Sequence, residues 1–456
     1  MKTRRIEQFF RVFPLFTNHI QSIPMSNPSS LHPTYRSERI ASLDTIRGIS
    51  LFGILLMNIT GFGLYKAYFD PTNNGGSTGW DLNVWWMTMM LFEGTMRGMF
   101  SMLFGAGILL FTGRIIQNET GSTVTDLFFR RLMWMILFGV IHCYLLLWDG
   151  EILYTYGIVG MFAFSFRHLK PKHLLIGAAF ILLVQTSFSV KDYFTNKEAF
   201  AQSAAAKAKQ ASGEALSKEE TAAIENWNAI VAHEKVTPEQ VNAEIAARSK
   251  GYWSIVKHKL PENQYMQTGF LYFINFWDTL AMMLWGMAFF KMGILTASKS
   301  NQFYLMMALI GYGIGLITNY IETSHIVAEN FSILSFSRHF LTYQLGRVAM
   351  TCGHIALIML FVKSGILPWL RKSLAAVGQM AFTNYITHSI ICNFIFLGYG
   401  LSMYGKLHRH ELYYIVIGIW IFQLIASPIW LRYFRFGPLE WTWRSLTYWE
   451  RQPFKK

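Results

Sequence analysis

From Ile49 to Tyr65 the chain runs without one charged residue. A stretch of about 17 apolar or small residues is just long enough to cross a bilayer as a helix. Its mouth is polar: Asp44 and Arg47 stand at i and i+3, one helical turn apart, where they can pair. Asn58 lies inside the run, where an amide costs free energy unless it finds a partner. This first span therefore carries polar groups that plain anchoring does not require.

Charge-free runs recur along the chain. Length and lack of charge predict ten spans, roughly 49–66, 98–113, 132–148, 152–166, 173–190, 268–290, 302–321, 341–362, 374–397 and 412–431. Trp80–Glu93 is rich in Trp and Met but carries Asp81 and Glu93, and it reads as an interfacial helix rather than a span. The expected fold is all-α: a polytopic transmembrane helix bundle of about ten spans.

Charge agrees with this reading. Only 14% of residues are charged, against about 25% in soluble domains. The formal net charge of +14 does not point to nucleic acid, because the basic residues sit in short loops between spans. With the N-terminus inside, the inner loops hold Arg130 and Arg131, Arg167 and Lys170, Lys291 and Lys299, then Lys363 and Arg371. The outer loops hold Asp70, Asp149, Glu151, Glu322 and Glu329. Basic loops inside predict both termini cytoplasmic. Cys143, Cys352 and Cys392 each fall within a span and lack metal-type spacing, so they read as apolar packing residues.

Residues 1–42 read as a cytoplasmic tail. Its apolar patch within Phe9–Phe16 is broken by Arg11 and Pro14, against a cleaved signal peptide, and Met25 is an alternative start. Residues 43–190 form a first five-span half, and 268–456 a second that ends in a basic, aromatic tail. Between them, 191–267 is Ala-, Lys- and Glu-rich with strong helix propensity over Ala204–Ala232 and Pro238–Ser249. Topology places this helical insert on the extracytoplasmic side, either as a solvated cap or as a partner-binding module.

Polar groups within spans or at their mouths are candidates for function. His142 and Asp149 are seven residues, two helical turns, apart and so fall on the same helix face. A carboxylate-held His is a competent general base at neutral pH; a packing His bonded to a carbonyl is the alternative. Glu151 and Tyr156 crowd the same mouth. Asn58 would orient a substrate carbonyl or bridge helices as polar glue. Glu93 and Arg97 have the spacing of a helix-surface ion pair. Arg347 would bind an anionic group or snorkel. Asn384 and His388, four apart, share a face. Gly105 and Gly107 suit close helix packing. The tail segment 430–449 reads as an inner-surface anchor, or as a surface for a cytoplasmic anionic donor such as a nucleotide-bearing thioester. No hydrolase elbow, Walker loop, zinc motif or dinucleotide fingerprint is present where it would count, so no metal or bound cofactor is expected.

Five blocks carry a resemblance: SLDTIRGISLFGILLMNI at 42–59, FSMLFGAG at 100–107, LFGVIHCYLLLWDGEILYTYGIVG at 137–160, VGQMAFTNYITHSIICNFIF at 377–396 and WLRYFRFGPLEWTWRSLT at 430–447. In this order they resemble the YeiB-like family of bacterial membrane proteins, whose function is unknown. That family has Arg where this chain has Gln379, and Gln where it has His388. The LD-x-x-RG opening is also similar to the wider transmembrane acyltransferase group, including O-antigen and peptidoglycan acylases and the lysosomal heparan-glucosaminide N-acetyltransferase. The resemblance implies an acyl group taken from a cytoplasmic thioester and passed to an acceptor on the outer face, with Asn58 at the first polar position of the site. The lysosomal enzyme has its catalytic His shortly after that Asn; here none lies between Asn58 and His142.

The expected function is thus acyl transfer from an acyl-CoA-type thioester to an envelope acceptor such as a glycan. His142 would act as base, Asp149 as its orienter and Asn58 as the polarising amide. Asp44, Arg47, Glu151, Arg347, Asn384 and His388 would bind substrate. The bilayer is the surrounding partner, and Gly-rich spans leave a homodimer open. A transporter or exporter of a small amphipathic solute is the alternative, with the same residues lining a pathway.

Overall fold

The computed structural model describes residues 40–115 and 121–456. The predicted tail up to Arg39, with the alternative start at Met25, lies outside the described residues. Among these, the chain forms α1 (Ala41–Gly63), α2 (Gly79–Leu91), α3 (Thr95–Ile115), α4 (Gly121–Tyr144), α5 (Leu153–Ser165) and α6 (Pro171–Ala211). Next come α7 (Lys218–Glu234), α8 (Pro238–Arg248), α9 (Tyr252–Tyr265), a π-helical stretch Met266–Asn275, α10 (Phe276–Lys291) and α11 (Asn301–Ala328). The chain ends with α12 (Ile333–His339), α13 (Tyr343–Ser364), α14 (Pro368–Gln379), α15 (Ala381–Phe396), α16 (Arg409–Tyr433) and α17 (Pro438–Tyr448).

Among the described residues, seven helical stretches are long and apolar enough to cross a membrane: Ala41–Gly63, Gly79–Gly113, Pro171–Ala211, Tyr252–Lys291, Asn301–Ala328, Tyr343–Ser364 and Arg409–Tyr433. The other expected spans take different forms. The run 132–148 is the latter part of α4, whose first half carries Asp126, Arg130 and Arg131, and 152–166 is α5 with only 13 residues. The run 374–397 is not one helix, because α14 stops at Gln379 and α15 restarts at Ala381. The 13-residue α2 breaks from α3 at Gly94, whose φ of +66° favours glycine. Its Trp85 packs on Ile326 and Phe331 rather than reaching across the bundle.

Outward faces identify the solvent. Phe180, Leu183, Ile314, Ile317, Ile421 and Ile425 are exposed on α6, α11 and α16. Contiguous exposed aliphatic faces of this size belong in lipid rather than water. The protein is an all-helical integral membrane protein.

Glycines let the interior helices touch at backbone distance. A Cβ on Gly378 would strike the Asp44 carbonyl, and one on Gly48 would strike that of Leu374, so α1 and α14 cross in direct contact. Gly105 and Gly286 do the same for α3 and α10, which places the packing role on Gly105; Gly107 meets nothing nearby.

The bundle has two chemically distinct ends. Arg47, Arg131, Arg167, Lys291, Lys363 and Arg444 gather at one, the basic end. The other carries the insert. Here α6 continues unbroken for 41 residues to Ala211, so the expected helix 204–232 is interrupted at residues 212–217. Gly213 (φ +82°) turns the chain, and Ser217 caps α7 through a reciprocal bond pair with Glu220. The returning helices fold onto the bundle. The Gly398 amide donates to the Arg248 carbonyl at 2.8 Å, the Tyr252 hydroxyl to the Leu145 carbonyl at 2.7 Å and the Lys259 ammonium to the Leu147 carbonyl at 2.8 Å.

Candidate functional site

α4 delivers His142 to the bundle interior, and α15 brings Ser389 to meet it. His142 Nε2 and Ser389 Oγ are 2.7 Å apart, and both residues are buried. On the other side of the ring, Nδ1 lies 3.7 Å from Glu151 Oε1. Glu151 is itself fixed: its carboxylate accepts the backbone amides of Leu153 and Tyr154, the latter at 2.8 Å. Those are orphan donors of the first turn of α5, where the helix dipole favours an anion. The Tyr385 ring completes the cluster, edge-on to His142 with centroids 5.0 Å apart.

The expected partner of His142, Asp149, is elsewhere. The same-face argument needs helix through residue 149, but α4 ends at Tyr144 and the chain turns through Leu147 at φ +57°. Asp149 instead accepts from Lys259 of the insert at 2.9 Å. Burial disfavours its charge, yet the Lys259 and Arg248 cations hold the carboxyl below its ordinary value. Glu151, expected as a substrate contact, faces the imidazole.

Beside this cluster lies a second polar chain. His388 Nε2 and Gln423 Oε1 are 3.0 Å apart, and the Gln423 amide donates to the Asn384 carbonyl at 3.0 Å. Asn384 Nδ2 donates to the Val377 carbonyl and to Ser427 Oγ, both at 3.1 Å. Asn384 and His388 do share a face, and that face is occupied by α16.

Arg347 is engaged as well. Its guanidinium is buried and makes a two-pronged bond to Asp278, 3.1 Å for Nη1 to Oδ2. Arg97 adds a second cation 3.7 Å from Asp278. The expected Glu93–Arg97 pair does not form, because the break at Gly94 separates them; Glu93 accepts from the hydroxyls of Tyr68 and Tyr343. This network ties α3, α10 and α13 together. Asn58 is half-buried in α1.

A cavity of about 280 Å³ enters the bundle from the basic end, near the lower bound of about 300 Å³ typical of small-molecule clefts. Arg47, Arg131 and Arg444 stand at its mouth, and Phe100, Phe104 and Leu132 line its walls. Tyr156 and Tyr385 line its inner part. Asp44 bonds Arg47 at 2.9 Å. Arg131 stacks on Trp443, 3.8 Å from the ring centroid, and pairs with no carboxylate among the described residues. Glu440 also lines the cavity, but its carboxylate is taken by the Phe382 and Thr383 amides at 2.7 and 3.0 Å, capping α15. Tyr385 therefore belongs both to the cavity and to the His142 cluster. Among the described residues, no cluster of three or more His, Cys, Asp or Glu is arranged to hold a metal.

Sequence reasoning finds His142 and Glu151 but passes over Ser389 and Tyr385. Their one-turn spacing on a single helix face, beside a candidate His at 388, is the available signal. The tail segment supplies Trp443 and Arg444 to the cavity lining.

Fold and polar interior define a multi-pass helical membrane protein with a buried His–Ser–Glu cluster. By sequence the chain belongs to the DUF418 family: the family model described as "Protein of unknown function (DUF418)" matches residues 289–450. It is 30% identical over 450 residues to the uncharacterised protein YxaH of Bacillus subtilis (94% of this chain, 99% of that one). To the uncharacterised protein YeiB of Escherichia coli it is 31% identical over 432 residues (90% and 96%). An uncharacterised 39.9 kDa protein in the amylase 3′ region of Bacillus acidopullulyticus is 23% identical over 424 residues (92% and 96%). No solved structure matches the chain.

Proposed function

We propose that the protein transfers an acyl group from an acyl-CoA-type thioester in the cytoplasm to an acceptor, a glycan or other envelope component, across a bacterial inner membrane. One observation carries the reading: a cavity with three guanidiniums at its mouth reaches Tyr385, the side chain packed on His142. The anionic head of the carrier sits among Arg47, Arg131 and Arg444. Its flexible arm lies along the apolar walls, and the thioester carbonyl arrives at the inner end. His142 removes the proton from the attacking group, and Glu151 holds the imidazole in the tautomer with hydrogen on Nδ1. Asn58, half-buried in α1, is not among the residues that line the cavity and takes no step in this reading. Asp149 is reassigned to docking the insert, and Arg347, Asn384 and His388 to holding helices together. The reading needs no metal or resident cofactor.

The test is donor turnover in detergent with a radiolabelled acyl-thioester, wild type beside His142→Ala. Released free thiol that falls by a factor of about 10² or more in the variant supports the assignment. Full turnover in His142→Ala would sink it. No turnover with any common thioester, together with uptake of a small amphipathic solute into proteoliposomes, would move the reading to transport.

A further inference from the structure

The mechanism above gives the buried Ser389 no task. Its hydroxyl stands 2.7 Å from His142 Nε2, and the opposite ring nitrogen faces the Glu151 carboxylate at 3.7 Å. Electrostatics select the tautomer. With hydrogen on Nε2, the lone pair of Nδ1 would face an anion; with hydrogen on Nδ1, that N–H faces the carboxylate and Nε2 accepts from Ser389. The second arrangement is favoured, and it leaves the serine hydroxyl aimed at a base. Nucleophile, base and orienting carboxylate within reach of one another form the pattern of an activated serine. The Nδ1–Oε1 separation is long for a hydrogen bond, as such contacts often are before substrate binds.

Ser389 is also well placed along the bundle. It follows Tyr385 by four residues on α15, so it lies about 6 Å beyond the cavity-lining tyrosine, away from the basic end. Above it, the end of α4 and the loop that follows are bonded to the insert through Asn263 and Lys259.

We propose that Ser389 is the nucleophile, carrying the acyl group as an ester between two half-reactions; the inference rests on the acyl-transfer reading. In the first, Ser389 Oγ attacks the thioester carbonyl while its proton passes to His142 Nε2. The carbon–sulfur bond breaks, and the leaving thiolate takes that proton and departs as thiol. In the second, an acceptor hydroxyl or amine loses its proton to His142 and attacks the ester. The Ser389 oxygen leaves and recovers the proton. No oxidant or further reactant is needed. A covalent carrier lets donor and acceptor approach from opposite ends without meeting, which a single-step transfer would require.

The experiment incubates the full-length protein in detergent with a radiolabelled acyl-thioester, and in parallel with an alkyl fluorophosphonate, followed by peptide mass analysis. The expected result is one acyl group on the peptide holding Ser389, with label and thiol release lost by about 10²-fold or more in Ser389→Ala. Ser389→Cys guards against misfolding: it should accept the acyl group as a thioester that neutral hydroxylamine cleaves, whereas the serine ester resists. Near-wild-type transfer in Ser389→Ala, with no acyl group on Ser389, would overturn the inference and leave the acyl-transfer reading intact. Fluorophosphonate labelling of Ser389 that depends on His142, without turnover of any thioester, would keep the nucleophile and overturn the thioester donor. Neither labelling nor turnover in the wild type would remove both.

Discussion

Asp149 and Glu151 are two residues apart, yet they serve different partners. The loop between α4 and α5 turns one carboxylate up to Lys259 and the other down to His142. Glu151→Gln keeps the shape and one of the two helix-capping oxygens but removes the charge facing Nδ1. It should lower thioester turnover by about 10-fold or more while leaving KM for the donor little changed, read from initial rates. Asp149→Asn should leave turnover near wild type and loosen the insert instead. The sequence shows why the two are easily confused. Spacing alone places Asp149 on the face of His142, because nothing in LLLWDG marks Leu147 as the residue that turns with positive φ. Ser389 is harder still, since a serine within a span is ordinary and only the fold places α4 against it.

Helices are more legible than their breaks. Charge-free length locates α1, α6, α11, α13 and α16, because the bilayer demands an uninterrupted run of about 20. The gap at Met380 is not legible: local composition is apolar on both sides, and the break is held by Glu440 capping α15 from α17, a distant tertiary contact. The α1–α14 crossing, by contrast, is written as glycine. Gly378→Ala drives a methyl into backbone that has no room to give. Thermal unfolding in detergent should register a loss of about 1–3 kcal/mol. The insert answers to acid. Burial opposes the charge on both Asp149 and Glu244, but Arg248 together with Lys259 or His258 holds each carboxyl below its ordinary value. The docking contribution of Asp149, and that of Glu244 to holding α8 on α9, are therefore present above the unfolded values of 3.8 and 4.5, and are lost as pH falls through the lower folded ones. Hydrogen-exchange protection of α8 and α9 should be flat at neutral pH and drop below about 4.

At the scale of the molecule, basic side chains of several loops gather at one end, and the loop sequences alone display that clustering. What loops cannot reveal is convergence: Arg47, Arg131 and Arg444 come from α1, α4 and α17, far apart in sequence, and meet at one cavity mouth. If they receive an anionic carrier, replacing Arg131 and Arg444 together by Ala should weaken donor binding by about 10-fold or more. The wild-type affinity should also decline as salt rises, measured by titration calorimetry at several ionic strengths. A last consequence belongs to α6. At 41 residues it is about 60 Å long, roughly twice the hydrocarbon thickness it crosses. A free helix adapts to a thicker or thinner bilayer by tilting, and about 20° would swing its far end by about 20 Å. This one is secured against α10 along its lower half and through the docked insert at its upper half. It behaves as a strut, so hydrophobic mismatch must be met by tilting the protein as one body or by deforming the lipid around it.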